Sequence, residues 1–307
     1  MTFSLGMSMY PFNRYMDARS VFETAQLAEE LGFDTITIGE HVVVPHSHLD
    51  QLPARWFDSL VLGSSIAART TRLRIMFSVL VVPYYNPIHL AKALASLDVL
   101  SEGRVIVGVG AGWLKPEFEM LGIPFDDRGA RLDEHLRAIR ELWTSDNPTF
   151  EGRWFQFRDV AFEPRPFQDP HPPIWIGGWG KNARRRAVEL GDGLYPASAG
   201  PLSRIVDDIT AVTAMLEDAG RDPAAFTFGH AIDYGSMAGP SHLEESSPIK
   251  REPLIFGYDA EPILDHIGKA REAGTSHIAV RFPGDTQAQI VDDMRRFHDE
   301  VMVAVRA

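Results

Sequence analysis

The stretch RLRIMFSVLVVPYYNPIHLAKALASLDVLSEGRVIVGVG (72–110) decides the fold. Within it LRIMFSVLVV (73–82) is a nearly unbroken run of apolar and β-branched residues, the composition of a strand covered on both faces. Pro87 then opens a helix that the apolar spacing carries to about Leu100, because proline suits a first helical position. RVIVGVG (104–110) is a second buried strand. Strand, helix and strand in succession make a βαβ unit, the building block of parallel sheets.

The same alternation extends in both directions. Upstream, SLGMSM (4–9) and DTITIG (34–39) read as strands. A helix over about 18–31 puts Val21, Ala25, Ala28 and Leu31 on one face and stops at Gly32, and a second covers about 57–68. Downstream, the helix over 128–143 carries Leu132, Leu136, Ile139 and Trp143 on one stripe. PIWIGG (173–178), DGLYPA (192–197), FTFGHAIDYG (226–235) and HIAVRF (277–282) are the remaining strands, each followed by a helical segment. In the last helix Ile290, Met294, Phe297 and Val301 form the buried stripe. Two segments break the rhythm. In TFEGRWFQFRDVAFEPRPFQ (149–168) the alternating aromatics around Gly152 predict a hairpin inserted before the fifth strand. SMAGPSHLEESSPIKREP (236–253) is polar and aperiodic, and reads as a long loop after the seventh strand and a candidate lid. Eight strand–helix units in sequence, with no reversal, predict an α/β fold: a (β/α)8 TIM barrel, one domain over residues 1–307, in preference to an open doubly wound sheet.

Composition narrows the function. Lys and Arg total 30 against 42 Asp and Glu, a net charge of −12 that argues against a nucleic-acid partner. The absence of cysteine rules out disulfides, thiolate zinc sites, iron–sulfur clusters and Cys nucleophiles. No apolar run approaches the ~20 residues that span a bilayer, and MTFSLGMSMYPFNRYMD (1–17) lacks a basic leader, so the expectation is a cytoplasmic protein without membrane association.

In such a barrel the chemistry gathers where the strands end. Gly39-Glu40-His41 follows the second strand and sets a carboxylate and an imidazole at the mouth, where histidine exchanges protons near neutral pH. The plainer alternative is a histidine tying down its own loop. His46 and His48 follow, but H-x4-H-x-H matches no common ligand spacing and no metal is expected. Ser78-Val79 alone reads as core. Gly108-Val109-Gly110-Ala111-Gly112-Trp113 has the spacing G-x-G-x-G, so the dinucleotide fingerprint is rejected. Its glycines either admit a flat ligand to the backbone or form a tight strand exit. Gly177-Gly178-Trp179-Gly180-Lys181-Asn182 opens a helix, and its free N–H groups make an anion site suited to phosphate, though not a Walker loop. Arg184, Arg185 and Arg186 read as a solvated helix face, Trp154, Phe155, Phe157 and Phe162 as hairpin packing, and Asp126-Asp127 as helix capping.

Taken together, FDTITIGEHVVVP (33–45), residues 72–122 and PIWIGGWGKNARRRAVELGDGLYPA (173–197) resemble the bacterial luciferase-like flavin or deazaflavin oxidoreductases, in particular the coenzyme F420-dependent branch. The resemblance implies a (β/α)8 barrel with an insertion before the fifth strand. It implies a flavin or deazaflavin ring at the barrel mouth beside a non-prolyl cis peptide, here Ser78–Val79. It implies Glu40 as an acidic cofactor contact and His41 as the proton-handling histidine. Ala111 and Gly112 would border the ring, and Gly177, Gly178, Trp179 and Gly180 would hold the cofactor phosphate. Trp113 stands where sugar-phosphate dehydrogenases of the family carry a catalytic glutamate, and their phosphate-holding residues are not evident around Ala197 and Ser198, which argues against glucose-6-phosphate oxidation.

The leading expectation is an F420-dependent oxidoreductase passing hydride between the deazaflavin and a small, fairly apolar organic substrate, with His41 and Glu40 as the catalytic pair. The nearest rival is an FMNH2-dependent two-component monooxygenase, and the third a non-catalytic ligand-binding barrel. A metal-dependent barrel hydrolase is more remote. A homodimer is expected from the resemblance, and either cofactor admits a separate flavin or F420 reductase as partner.

Overall fold

Eight parallel strands close on themselves in the computed structural model, which describes residues 3–10, 17–196, 201–235 and 255–307. In chain order the first four are β1 (Ser4–Ser8), β2 (Thr35–Ile38), β3 (Arg74–Phe77) with its continuation β4 (Leu80–Val81), and β5 (Val105–Gly110). A small antiparallel pair, β6 (Phe150–Glu151) and β7 (Gln156–Phe157), precedes β8 (Ile174–Ile176), β9 (Gly193–Leu194) and β10 (Thr227–Tyr234). The short β11 (Ile255–Phe256) and then β12 (His277–Arg281) complete the sheet. Each barrel strand pairs with the next, and β12 pairs with β1 in the register Ser4↔His277 to Ser8↔Arg281, which closes the cylinder.

Helices wrap the outside: α1 (Ala18–Glu30), α2 (Ser59–Ala67), α3 (Pro87–Leu100), α4 (Lys115–Met120), α5 (Arg128–Thr144), α6 (Lys181–Leu190), α7 (Leu202–Asp218), α8 (Ala260–Glu272) and α9 (Gln287–Phe297). Local chemistry sets their starts. Asp17 and Ser20 form a capping box at α1, and Asn86 accepts from the N–H groups of Ile88 and His89 at the head of α3, with Pro87 at its first position. The main apolar core lies between strands and helices, and Ile290, Met294, Phe297 and Val301 are all buried in it, as their spacing predicts.

Strand alternation sends a second set of side chains into the barrel. Met76, Ile106, Trp175, Tyr195 and Ala279 pack there as a separate inner layer. One layer further toward the strands' C-terminal ends, the inward positions are small or polar: Ser8, Thr37, Ser78, Gly110, Gly177 and Ala231. Bulk below and small residues above turn a filled barrel into a floored cup.

The structure departs from the sequence reading in several places. The run 73–82 is not one strand: the cis peptide that the resemblance implies between Ser78 and Val79 is present and separates β3 from β4, and both halves pair with β5. The hairpin expected over 149–168 has only two paired positions per strand. Glu134 on α5 accepts from the N–H groups of Arg153, Trp154 and Phe155 and so fixes its turn, while 158–168 is irregular. β11 was not expected, and it pairs with the upper end of β10 (Asp233↔Ile255), beyond the point where β9 ends. The arginines of 184–186 are not a free solvated face: Arg184 pairs with Asp208, and Arg185 and Arg186 converge on Asp133. Asp127 stands at the N-cap of α5 without a side-chain capping bond. The loop expected over 236–253, and Ala197 and Ser198, lie outside the described residues.

Candidate active site

The strand ends enclose a cavity of about 460 Å³, within the usual range for small-molecule sites. Glu40, His41, Ser78, Val79, Ala111, Gly112, Gly177, Gly178 and Trp179 all line it; Gly180 lies just outside, at the N-cap of α6. Residues scattered over 140 positions of sequence, 40 to 179, therefore meet at one mouth. His46 and His48 sit in a separate short helical turn, and among the described residues no group of three or more His, Asp or Glu converges as a metal would require.

Glu40 is buried, 8% exposed. Its Oε2 accepts from the Val81 N–H at 2.5 Å and its Oε1 from the Tyr85 hydroxyl. Burial outweighs these two bonds and pushes the carboxyl up to about 7, with the negative charges of Asp58 and Glu117 acting in the same direction.

His41 faces a second buried carboxylate that sequence reasoning missed. Glu117, on the short helix α4, is wholly buried. Its Oε1 accepts from the backbone N–H of Val42 at 2.6 Å and of Val43 at 3.2 Å. Its Oε2 lies 2.9 Å from His41 Nδ1 and accepts from the Tyr84 hydroxyl at 2.8 Å. Burial alone would raise this carboxyl; the bonds from His41, Tyr84 and Val42 reverse that and hold it below the ordinary range. Tyr84 is pushed up by burial and by the Glu117 charge, so its hydroxyl stays a donor. The signal in the sequence was slight: Pro116 just after a strand end is a helix-opening residue, with Glu117 in the first turn. Around His41 stand Trp56, ring centroids 4.7 Å apart, and Trp113, 5.9 Å apart, both edge-on. These rings and Leu52 make that end of the cavity apolar.

The glycines divide into two kinds. A Cβ at Gly108 would run into the Phe77 carbonyl oxygen, and one at Gly110 would lie 2.7 Å from Val79 Cγ2. At both positions the backbone around Ser78–Val79 presses on β5, a tight strand exit, and Gly110 also lines the cavity. Gly180 (φ 80°) has open space where a side chain would be, and a Cβ at Gly178 (φ 101°) would make only an ordinary contact with Ala183 Cβ at 3.8 Å. The turn they form leads into α6, whose start has no side-chain cap, so its first N–H groups are available to an anion. Arg128 lines the same cavity and, among the described residues, donates to the carbonyls of Gly112 and Phe125 and to no carboxylate. A phosphate at one end and a flat ring against Val79 and Ala111 thus fit the residues present. On the far side Asp233 and Arg281, neighbours in register, form a two-armed ion pair.

A closed parallel barrel with its cavity at the C-terminal mouth is a scaffold shared by many enzymes, and the comparisons give its family. The chain belongs to the luciferase-like monooxygenases, whose family profile matches residues 3–277. It is 33% identical over 280 residues to the FMNH2-dependent dimethylsulfone monooxygenase of Pseudomonas putida, covering 90% of this chain and 72% of that protein. It is 29% identical over 325 residues to the F420-dependent glucose-6-phosphate dehydrogenase of Amycolatopsis mediterranei (strain U-32), covering 94% and 95% respectively. Among solved structures, monooxygenase RslO1 from Streptomyces bottropensis superposes with a TM-score of 0.83 at 22% identity, covering 98% of this chain and 99% of that one, a likeness of fold. The family makes this protein an oxidoreductase that uses a flavin or deazaflavin cofactor. No helix among the described residues is long and apolar enough to cross a membrane.

Proposed function

We propose that this protein is an F420-dependent oxidoreductase that transfers hydride between the deazaflavin and a small, fairly apolar organic substrate. The observation that carries the reading is one cavity lined both by the uncapped glycine turn after β8 and by a carboxylate-anchored histidine among aromatic rings after β2. The cofactor, when bound, supplies the hydride chemistry. The turn at Gly178 and Gly180 and the start of α6 hold its phosphate, with Arg128 adding positive charge. Val79, Ala111 and Gly112 border the ring, and Glu40 contacts it. Trp56, Trp113 and Leu52 keep water from the reacting end, and His41 gives or takes the proton that accompanies hydride transfer. Trp113, in place of a catalytic glutamate, supports a substrate other than a sugar phosphate. The protein works as a cytoplasmic homodimer in this reading, with a separate reductase renewing the cofactor where one is needed.

The match to an FMNH2-dependent enzyme favours a second reading, a two-component monooxygenase in which His41 serves the oxygen chemistry instead. Titration of the purified protein with F420 and with FMN, followed by quenching of Trp56 and Trp113 fluorescence, separates them. Saturable F420 binding tighter than FMN is expected. Sub-micromolar FMN binding without F420 binding transfers the assignment to the monooxygenase, and binding of neither leaves a ligand-binding barrel.

A further inference from the structure

Glu117 accepts four hydrogens on two oxygens: two from backbone N–H groups, one from Tyr84 and one from His41. An ionised carboxylate has no hydrogen to give. The Val42 and Val43 N–H groups can only donate, and the Tyr84 hydroxyl is held as a donor. The contact to His41 Nδ1 is satisfied in one way only, with the hydrogen on Nδ1. Neutral His41 then presents a bare Nε2, and Nε2 is the nitrogen left for a molecule in the cavity that His41 lines.

We propose that Glu117 is a positioning residue that fixes the Nδ1–H tautomer of His41 and so makes Nε2 a proton acceptor when neutral and a donor when charged. Glu117 borders the same cavity, but both its oxygens are taken up by the four protein donors, and it acts through His41. The same carboxylate pins residues 42 and 43, so ring orientation and tautomer are set by one side chain. The inference rests on the reading that His41 handles the proton, but its direct test does not.

Glu117→Gln gives a sharp test, because the amide must choose how to face its four partners. Its carbonyl oxygen has to stay on the Val42 and Val43 N–H groups, which cannot accept. The NH2 is thereby turned toward Tyr84 and His41, both of which can accept if their own hydrogens move. On His41 that means loss of the hydrogen from Nδ1 and its appearance on Nε2. The near-isosteric variant therefore inverts the tautomer, where a purely structural glutamate would only loosen the loop.

The measurement is the pair of ring-nitrogen shifts of His41 in 15N-histidine-labelled protein at pH 8, assigned with His41→Ala. The wild type is expected to show the Nδ1–H form and Glu117→Gln the Nε2–H form. Tyr84→Phe, which removes one donor and leaves the carboxylate, should keep the Nδ1–H form. Finding the Nε2–H form in the wild type, or an unchanged tautomer in folded Glu117→Gln, overturns the proposal. If that variant does not fold, the wild-type spectrum and Tyr84→Phe still decide. Turnover with the cofactor that binds should fall ~10²–10⁴-fold in Glu117→Gln, with cofactor affinity retained, as expected of a wrongly protonated base. Should His41→Ala keep full turnover while the tautomer inverts as stated, the role given to His41 fails and the one given to Glu117 as tautomer anchor stands.

Discussion

Glu40 and Glu117 are buried carboxylates on one cavity whose surroundings drive them in opposite directions. Two donors on Glu40 do not offset its burial; four on Glu117 do. Because Glu40 in the folded chain titrates near 7, against 4.5 ordinarily, the folded state holds a proton that the unfolded chain has released across that interval. The stability tied to it is present at acid pH and is lost as pH rises through 7, about 3 kcal/mol at most. Glu40→Gln keeps an acceptor for Val81 and an NH2 for the Tyr85 oxygen, and has nothing to ionise. Its melting temperature should therefore gain on the wild type between pH 5 and pH 8; a constant difference across that range would count against the raised value. His41→Ala is expected to leave cofactor affinity nearly intact and lower turnover ~10²–10⁴-fold in steady-state assays. Of these residues, Glu40 and His41 were legible because they abut a readable strand end. Glu117 was not: it sits between Lys115 and Glu119, both largely exposed, in what reads as an ordinary charged helix start, and only the tertiary approach of loop 41–43 and of Tyr84 gives it partners.

At the level of single elements, Gly108 is a packing position and Gly180, in the proposed reading, a binding one, and mutation should tell them apart. Gly108→Ala forces a methyl against the Phe77 carbonyl, backbone that cannot swing aside, and should cost about 3 kcal/mol or prevent folding, read by urea denaturation. Gly180→Ala meets nothing in space and is opposed only by its backbone angles, so the stability loss should be smaller, about 1–2 kcal/mol. Its main effect should fall on cofactor binding, seen in the F420 and FMN titrations. Equal stability losses for the two would erase the distinction. The sequence showed both clusters but not their difference, since composition does not say what occupies the space where a side chain is missing. Composition hid the break in the third strand for a related reason, since Ser78-Val79 has the same apolar, β-branched neighbours as the rest of its run, and only the family resemblance pointed to the cis peptide there. The hairpin was overdrawn because alternating aromatics over 149–168 mimic a strand, whereas Phe157 and Phe162 are buried by packing with little ladder between them.

The whole molecule was the most legible level. Eight alternations of buried strand and amphipathic helix leave few architectures, and closure follows once β12 finds β1. What periodicity could not foresee is how unevenly the cylinder is built, with β9 reduced to Gly193–Leu194 and β11 filling in beside β10. Near that seam Asp233 and Arg281 bind adjacent strands together, Asp233 almost fully buried. Arg281→Met strands a carboxylate inside the barrel and should cost about 2 kcal/mol of unfolding free energy by denaturant titration, the value for a fully enclosed pair being reduced by partial solvent access. A loss near zero would mean that water serves Asp233 equally well.

Helix α4 carries Glu117 under the loop that follows β2, and beside it Phe118, whose ring meets Tyr84 from the loop after β4 at 4.8 Å. Three consecutive loops therefore share one keystone. Exchange of specificity between relatives by grafting loops has to respect that: a chimera taking only residues 41–57 from another family member imports a histidine cut to fit a different anchor. One that takes 41–57, 82–86 and 111–125 as a block carries the histidine, its carboxylate and the ring that seats them, and is the smallest cassette expected to move intact.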